Sequence, residues 1–534
     1  MSVLRTVLIT LVAVIQTACF ASPSHSARTE ELGAIVVIYN QNDPSAKSLA
    51  DFYCMERGID PTHEIALTTP LREEISREEY DSMIATPIRQ ELLRRGLWSF
   101  TRDMMNRPIL YASSVRYAAL IKGMPLKIRQ SESYPGDAKN QPDPYGGVNA
   151  ASVDSELSVL GLFSPQISGT LNNPLYTNSP AGIASDKTNI PVPMMMVSRL
   201  DGPSDNAVRS LISASIAAEK AGVWGWGYID LQSSTNKAYV RGDTWIHEAG
   251  TAMRKSGIPV ISDDLPETLQ AGFPVTDAAA YYGWHDENID GPFADTAFRF
   301  VPGAVAVHLH SFSASTLRDP TKGWTGPLIM HGAAISLGNV YEPYLPFTTD
   351  LGIFANALIT GHNLAESYYA AQPVLSWMSI CVGDPLYRPY AGYLDPANQP
   401  ESVWTDYRRI ILSHDGDVLR AAKELKARAE EKKESLYLEA LGAAQMDGRD
   451  LIGAEKSFKE AAVFTSEPVI EFRLLLEQAR VLEKQGRSAV AMDLLRENIT
   501  RFKKADQQSL ILSWIKRMES PPPSPSPDLS PSQQ

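Results

Sequence analysis

The side chains best equipped for chemistry gather in one stretch, Phe300 to Leu345. His308 and His310 are two apart, a spacing that points both imidazoles to one face of a strand. With His331 or Glu342 as third ligand they could hold Zn²⁺. Ser311 follows His310 directly, and Asn339 and Glu342 lie just past the next apolar run. Imidazole, hydroxyl, amide and carboxylate are the groups that hydrolysis by a nucleophile, a base and an oxyanion donor requires. Three further charged sets qualify as pocket residues. Asp154 and Glu156 are carboxylates two apart, able to hold Ca²⁺ or act as acid and base, or else to cap a helix and meet water. Arg199 and Asp201, in Val197-Ser-Arg-Leu-Asp-Gly-Pro203, either line a cleft or pair with each other. Asp384 stands between Gly383 and Pro385, where it makes a rigid exit from a strand and marks topology more than chemistry.

These residues need a sheet to place them. The runs Gly303-Ala-Val-Ala-Val-His-Leu-His310 and Pro327 to Leu337 are continuously apolar, as strands of a parallel sheet buried on both faces are. Ligands bind beyond the carboxyl ends of such strands. Similar runs cover Ala34 to Tyr39, Tyr117 to Lys122, Pro193 to Val197, Val223 to Ile229, Ala278 to Gly283 and Trp377 to Val382. Helices are expected from Ser45 and over Asn206 to Ala221, the second stopped by Gly222. Strand, polar loop, helix, strand is the βαβ rhythm of an α/β unit, here residues 31–395, with a loop-rich insertion at about 130–190.

Residues 405–518 are rich in Ala, Leu, Glu, Lys and Arg and read as an all-α repeat domain. Gly448-Arg449 leads to Ala454 and Phe458, as Gly486-Arg487 leads to Ala491 and Leu495. Small and large apolar residues four apart resemble the tetratricopeptide pattern, although the offset is about 37 residues against roughly 34 for that repeat. Stacked helix pairs of this kind make concave surfaces that dock protein partners. The Pro/Ser tail, 519–534, lacks core-forming residues and is expected to be disordered.

The 534 residues carry a net charge of −13, which excludes the basic face a nucleic-acid surface needs. Arg5, the apolar run Thr6 to Ile15 and small residues up to Ala21 form a signal peptide, 1–21, that sends the chain to the periplasm or beyond. Lipid attachment at Cys19 is disfavoured by Gln16, three positions upstream. No later segment has transmembrane length. Export would permit a Cys54–Cys381 disulfide, while two buried free thiols are the alternative. No cofactor is expected beyond the Ca²⁺ or Zn²⁺ that these side chains could hold.

The strings VSRLDGP, GNVYEPYL and GDPLYRP, in that order, resemble a family of exported bacterial proteins over nearly everything from Gly33 to Pro389. More distantly, Asp154, Ser198-Arg-Leu200, Glu219 and Gly383-Asp-Pro385 echo the order of the gingipain-like cysteine peptidases. That resemblance implies a caspase-like fold, a mostly parallel sheet flanked by helices. It does not carry the peptidase dyad over. Where those enzymes have Gly-His-Gly, Tyr282-Gly-Trp-His-Asp286 offers a displaced His285, and where they have the cysteine this chain has His310-Ser-Phe-Ser313. A non-peptidase binding or scaffold role is therefore expected. The alternatives are a hydrolase with His285 as base, Ser311 as nucleophile and Asn339 in support, or a metal-assisted hydrolase on His308 and His310.

Overall fold

The computed structural model describes residues 25–519 apart from 103, 105, 107, 132–147, 163–168, 178–193, 234–235, 237–238 and 395–398. The segment expected to be a signal peptide, with Cys19, the tail from residue 520 and much of the expected loop-rich insertion lie outside the described residues.

The chain is mixed α/β, with a parallel-rich sheet and a helical C-terminal region. Ten strands build the sheet: β1 Ile35–Asn40, β2 Glu64–Leu67, β3 Tyr117–Ile121, β4 Met196–Leu200, β5 Trp226–Asp230, β6 Val260–Asp263, β7 Ala278–Trp284, β8 Val305–Leu309, β9 Ser336–Asn339 and β10 Ser379–Val382. One group has the order β9-β10-β4-β3-β1-β2, the other β6-β5-β7-β8. A parallel bridge between Val305 and Ile335 joins them, with the Ala306 amide donating to Ile335 O at 3.0 Å. Every pairing is parallel except β9 with β10. Strands β5 to β9 therefore point one way, and β10 runs against β9. The carboxyl ends of β7, β8 and β9 share one rim, where Asp201, just past β4, meets Arg318 of the segment after β8, while Asp384 leaves β10 at the opposite rim.

Two expected boundaries move. The apolar run Pro327 to Leu337 is not one strand: Thr325–Met330 is helical, and only Ser336–Asn339 pairs in the sheet. A fully buried apolar run has no period that separates strand from helix, and Pro327 fits the first helical turn. Gly338 and Asn339 lie within the strand rather than ending it. A Cβ on Gly338 would fall 2.2 Å from Thr325 Oγ1 and 2.6 Å from Ala314 Cβ, so the glycine permits that approach. Likewise β4 runs on through Ser198 and Arg199 instead of stopping at Val197.

The C-terminal helices form antiparallel pairs. Leu436–Asp447 packs on Leu451–Ala461, and Pro468–Lys484 on Ser488–Asn498, with Ala454, Phe458, Ala491 and Leu495 fully buried between them. The first helix of the second pair has 17 residues against 12 in the first pair, which accounts for the long offset. The inner helices close on the sheet. Arg473 pairs with Glu439 at 2.6 and 3.0 Å and donates to Thr276 Oγ1 at 2.7 Å, while Arg480 reaches Asp264 at 2.6 Å. The inner helices of these pairs are thus covered by the protein's own β6 edge. Cys54 and Cys381 are buried free thiols, so the disulfide alternative is not realised. No helix among the described residues is long and apolar enough to cross a membrane.

Candidate functional site

A pocket of about 540 Å³ opens at the carboxyl ends of β7, β8 and β9. It is lined by His285, His310, Ser311, Asn339 and Glu342, five residues singled out by their chemistry, and by Tyr239, Trp284, Glu287 and Phe312.

His285 follows the last residue of β7 with φ +93°, a left-handed backbone that bulky residues rarely adopt. Its amide donates to Leu309 O at 3.2 Å, which ties the turn to β8. The imidazole lies 4.6 Å from the Tyr239 ring and 5.7 Å from that of His310, centroid to centroid. Burial, and then the neighbouring His310, push its pKa below the ordinary imidazole value, so it is neutral at pH 7. Two more rim residues are left-handed, Phe312 at φ +60° and Tyr344 at +62°. Such conformations cost on the order of 1 kcal/mol each and persist where the surroundings over-determine them, commonly at ligand clamps. Here the Phe312 amide donates to Tyr341 O, and the Tyr344 amide to Glu342 Oε1, both at 3.0 Å.

His310 Nδ1 donates to the carbonyl of Ser311. Asn339 works on the backbone: Nδ2 donates to His310 O at 3.1 Å, and Oδ1 accepts from Ser379 Oγ at 2.8 Å and Thr348 Oγ1 at 3.2 Å. It joins β9, β10 and the turn after β8, acting as a positioning group. Glu342 and Glu287 are exposed at the mouth of the pocket. The Ser311 hydroxyl is half-buried and has no hydrogen-bond partner among the described residues.

The other candidates lie elsewhere. His308 is fully buried, with Nδ1 2.9 Å from Tyr281 Oη and Nε2 accepting the Asp286 amide at 3.0 Å. Both nitrogens are engaged, so the His308–His310 metal pair loses a ligand. His331 bonds to Phe298 O at 3.0 Å. Among the described residues no three His, Cys, Asp or Glu side chains gather as a metal site. Asp154 and Glu156 are neither an open acidic pair nor water-facing. Both are buried on the helix Val153–Ser158 and diverge to separate arginines, Asp154 to Arg199 at 2.7 Å and Glu156 to Arg77 at 2.9 Å. Glu156 also accepts from Ser376 Oγ at 2.7 Å, so the two carboxylates do not converge on one point. Arg199 is fully buried and spends its remaining donors on Pro125 O at 2.6 Å and Asp201 at 3.4 Å, while Asp201 also holds Arg318. Asp384 accepts from Tyr53 Oη at 2.7 Å and from Arg57, which reaches on to Glu219 at 2.7 Å. These ionic sets fasten elements together rather than line the pocket, the outcome expected when buried charges are paired.

Sequence alone did not point to the aromatic wall or to Glu287. Trp284 and Glu287 stand within two residues of His285, and Phe312 follows Ser311, so proximity could have flagged them. Tyr239 comes from the residue before the helix Val240–Lys255 and carried no signal.

No family model matches the chain, and no curated protein does. A solved structure called "Structure of Protease" is similar at 10% identity with a TM-score of 0.34, covering 67% of this chain and 79% of that one. A likeness so distant says nothing about function, which leaves the pocket's own residues as the guide.

Proposed function

We propose that this is an exported binding protein on a degenerate gingipain-like, caspase-like scaffold, whose pocket receives a basic side chain instead of cutting a peptide bond. The observation that carries this is the pair of exposed carboxylates, Glu287 and Glu342, at the mouth of a pocket walled by Tyr239, Trp284 and Phe312. Lysine and arginine have apolar stems and cationic heads, which suit aromatic faces below and carboxylates above. The net charge of −13 favours the approach of a basic ligand. The sulfur chemistry of the resembled peptidases has no counterpart at the pocket. Burial pushes the Cys54 thiol up to about 12 and the Cys381 thiol well above its ordinary value, and neither lines the pocket. A protein partner of the repeat-like helices would meet their outer face, where Ile452 is 82% exposed.

The test is calorimetric titration with a peptide bearing one arginine or lysine, against the same peptide bearing norleucine. The basic peptide should bind at least about tenfold tighter, about 1.4 kcal/mol, with the advantage lost in Glu287→Gln/Glu342→Gln. Equal affinities for the two peptides would sink the reading. A serine hydrolase is the second reading, favoured by His285 and Ser311 sharing one pocket with His285 neutral, as a base must be. Ester hydrolysis by the purified protein that disappears in Ser311→Ala would establish it in place of the first.

A further inference from the structure

Behind the pocket runs a chain of buried polar groups that do not line it. Asp230, the last residue of β5 and 1% exposed, accepts from Tyr281 Oη at 2.9 Å. Tyr281 Oη lies 2.9 Å from His308 Nδ1, and His308 Nε2 accepts the Asp286 amide at 3.0 Å. The His308 ring stacks on Trp324 at 3.6 Å between centroids, 7° from parallel, and Trp324 Nε1 donates to Asp286 O at 2.9 Å. Both backbone polar groups of Asp286, the residue after His285, are therefore held by buried side chains.

The Asp286 amide sets the direction of the hydrogens at His308. A backbone amide only donates, so Nε2 of His308 carries a lone pair. In the neutral ring Nδ1 then bears the hydrogen and donates to Tyr281 Oη, whose own hydrogen goes to Asp230. A second proton would have to enter at Nε2, break the bond to Asp286 and leave a cation enclosed by Trp324, Tyr281, His285 and His310. Burial, and then those two histidines, hold the His308 pKa well below its ordinary value.

We propose that Asp230, Tyr281 and His308 are positioning residues for His285: by fixing the turn at Asp286 they keep His285 left-handed, with its ring in the pocket against Tyr239 and His310. The functional importance of that placement rests on the proposed binding role of the pocket, but the placement can be measured without any ligand.

The experiment is long-range ¹H–¹⁵N NMR on the full chain labelled at histidine. In the unsubstituted protein His308 should stay neutral with hydrogen on Nδ1 between about pH 5 and 8, and His285 should titrate below the ordinary value of about 6.5. Tyr281→Phe removes one hydroxyl from the chain and should move the His285 midpoint back toward about 6.5. His308→Leu should do the same. His308→Gln, whose amide oxygen can accept from Asp286 and whose nitrogen can donate to Tyr281, should leave the midpoint where it was. A network that merely stabilised the sheet would not move that midpoint. The proposal is overturned by His308 carrying its hydrogen on Nε2 in the unsubstituted protein, which needs no variant to fold. It is equally overturned by folded Tyr281→Phe and His308→Leu proteins whose His285 midpoint is unchanged. Should the binding role itself fail, basic peptides would not bind while the histidine signals kept this pattern.

Discussion

Glu477→Gln should remove the loss of stability that Glu477 causes between about pH 4.5 and 7. Glu477 lies on Pro468–Lys484, is 2% exposed, and neither carboxylate oxygen has a hydrogen-bond partner among the described residues. Arg480 on its own helix comes within 3.7 Å, but is committed to Asp264 at 2.6 Å. Arg473, one turn earlier, is spent on Glu439, while Asp263 of β6 adds a like charge from across the interface. Glu477 is thus the surplus carboxyl of the set, and burial pushes its pKa from 4.5 up to about 7. The unfolded chain releases this proton near pH 4.5 and the folded one near 7, so folding takes up a proton in that window. Stability is therefore fully present below about 4.5 and declines as pH rises to about 7, by about 3 kcal/mol at ~1.4 kcal/mol per pH unit. Glutamine cannot ionise and escapes the loss. Urea unfolding of both proteins at pH 4.5, 6 and 8 measures the difference, with the variant gaining about 3 kcal/mol relative to the parent across the series. Profiles that run parallel would refute the reasoning.

Arg199→Met should cost about 3–5 kcal/mol in denaturant unfolding, because Asp154 would be left as a buried charge while Asp201 keeps Arg318, and adding Asp154→Asn should recover most of it. Cys54 should react with iodoacetamide at pH 8 at least ~1000-fold more slowly in the native protein than in urea, since its pKa is raised to about 12. Gly338→Ala should lower stability by about 1–3 kcal/mol, visible as a lower melting temperature, because the added methyl meets Thr325 and Ala314.

Continuous apolar runs were a sound guide to the sheet's strands, since parallel strands covered on both faces leave no alternation to misread. β1, β3, β5, β7, β8 and β10 lie where those runs are, and the polar residues just past β7 and β8 do meet in one pocket. What failed has physical reasons. Spacing in the chain put His308 beside His310, yet His310 stands beyond the end of β8, where strand alternation no longer applies. Asp154 and Glu156 looked free because nothing local shows that Arg199 and Arg77 come from 45 and 79 residues away. The reversal between β9 and β10 is set by long-range pairing that no run of side chains encodes. Docking of the helices on β6 escaped notice for a related reason: the arginines that secure it read as ordinary helix-surface charges.

That reversal divides labour between the two rims of the sheet. One carries the cleft and its imidazoles; at the other, Asp384, Arg57 and Glu219 rivet the helix Ala46–Arg57 to the strand exits. Substitutions that retool the cleft thus leave the rivets untouched, and the scaffold can outlive a change of trade. A lineage could exchange one chemistry for another, or surrender it, without first solving the problem of folding again.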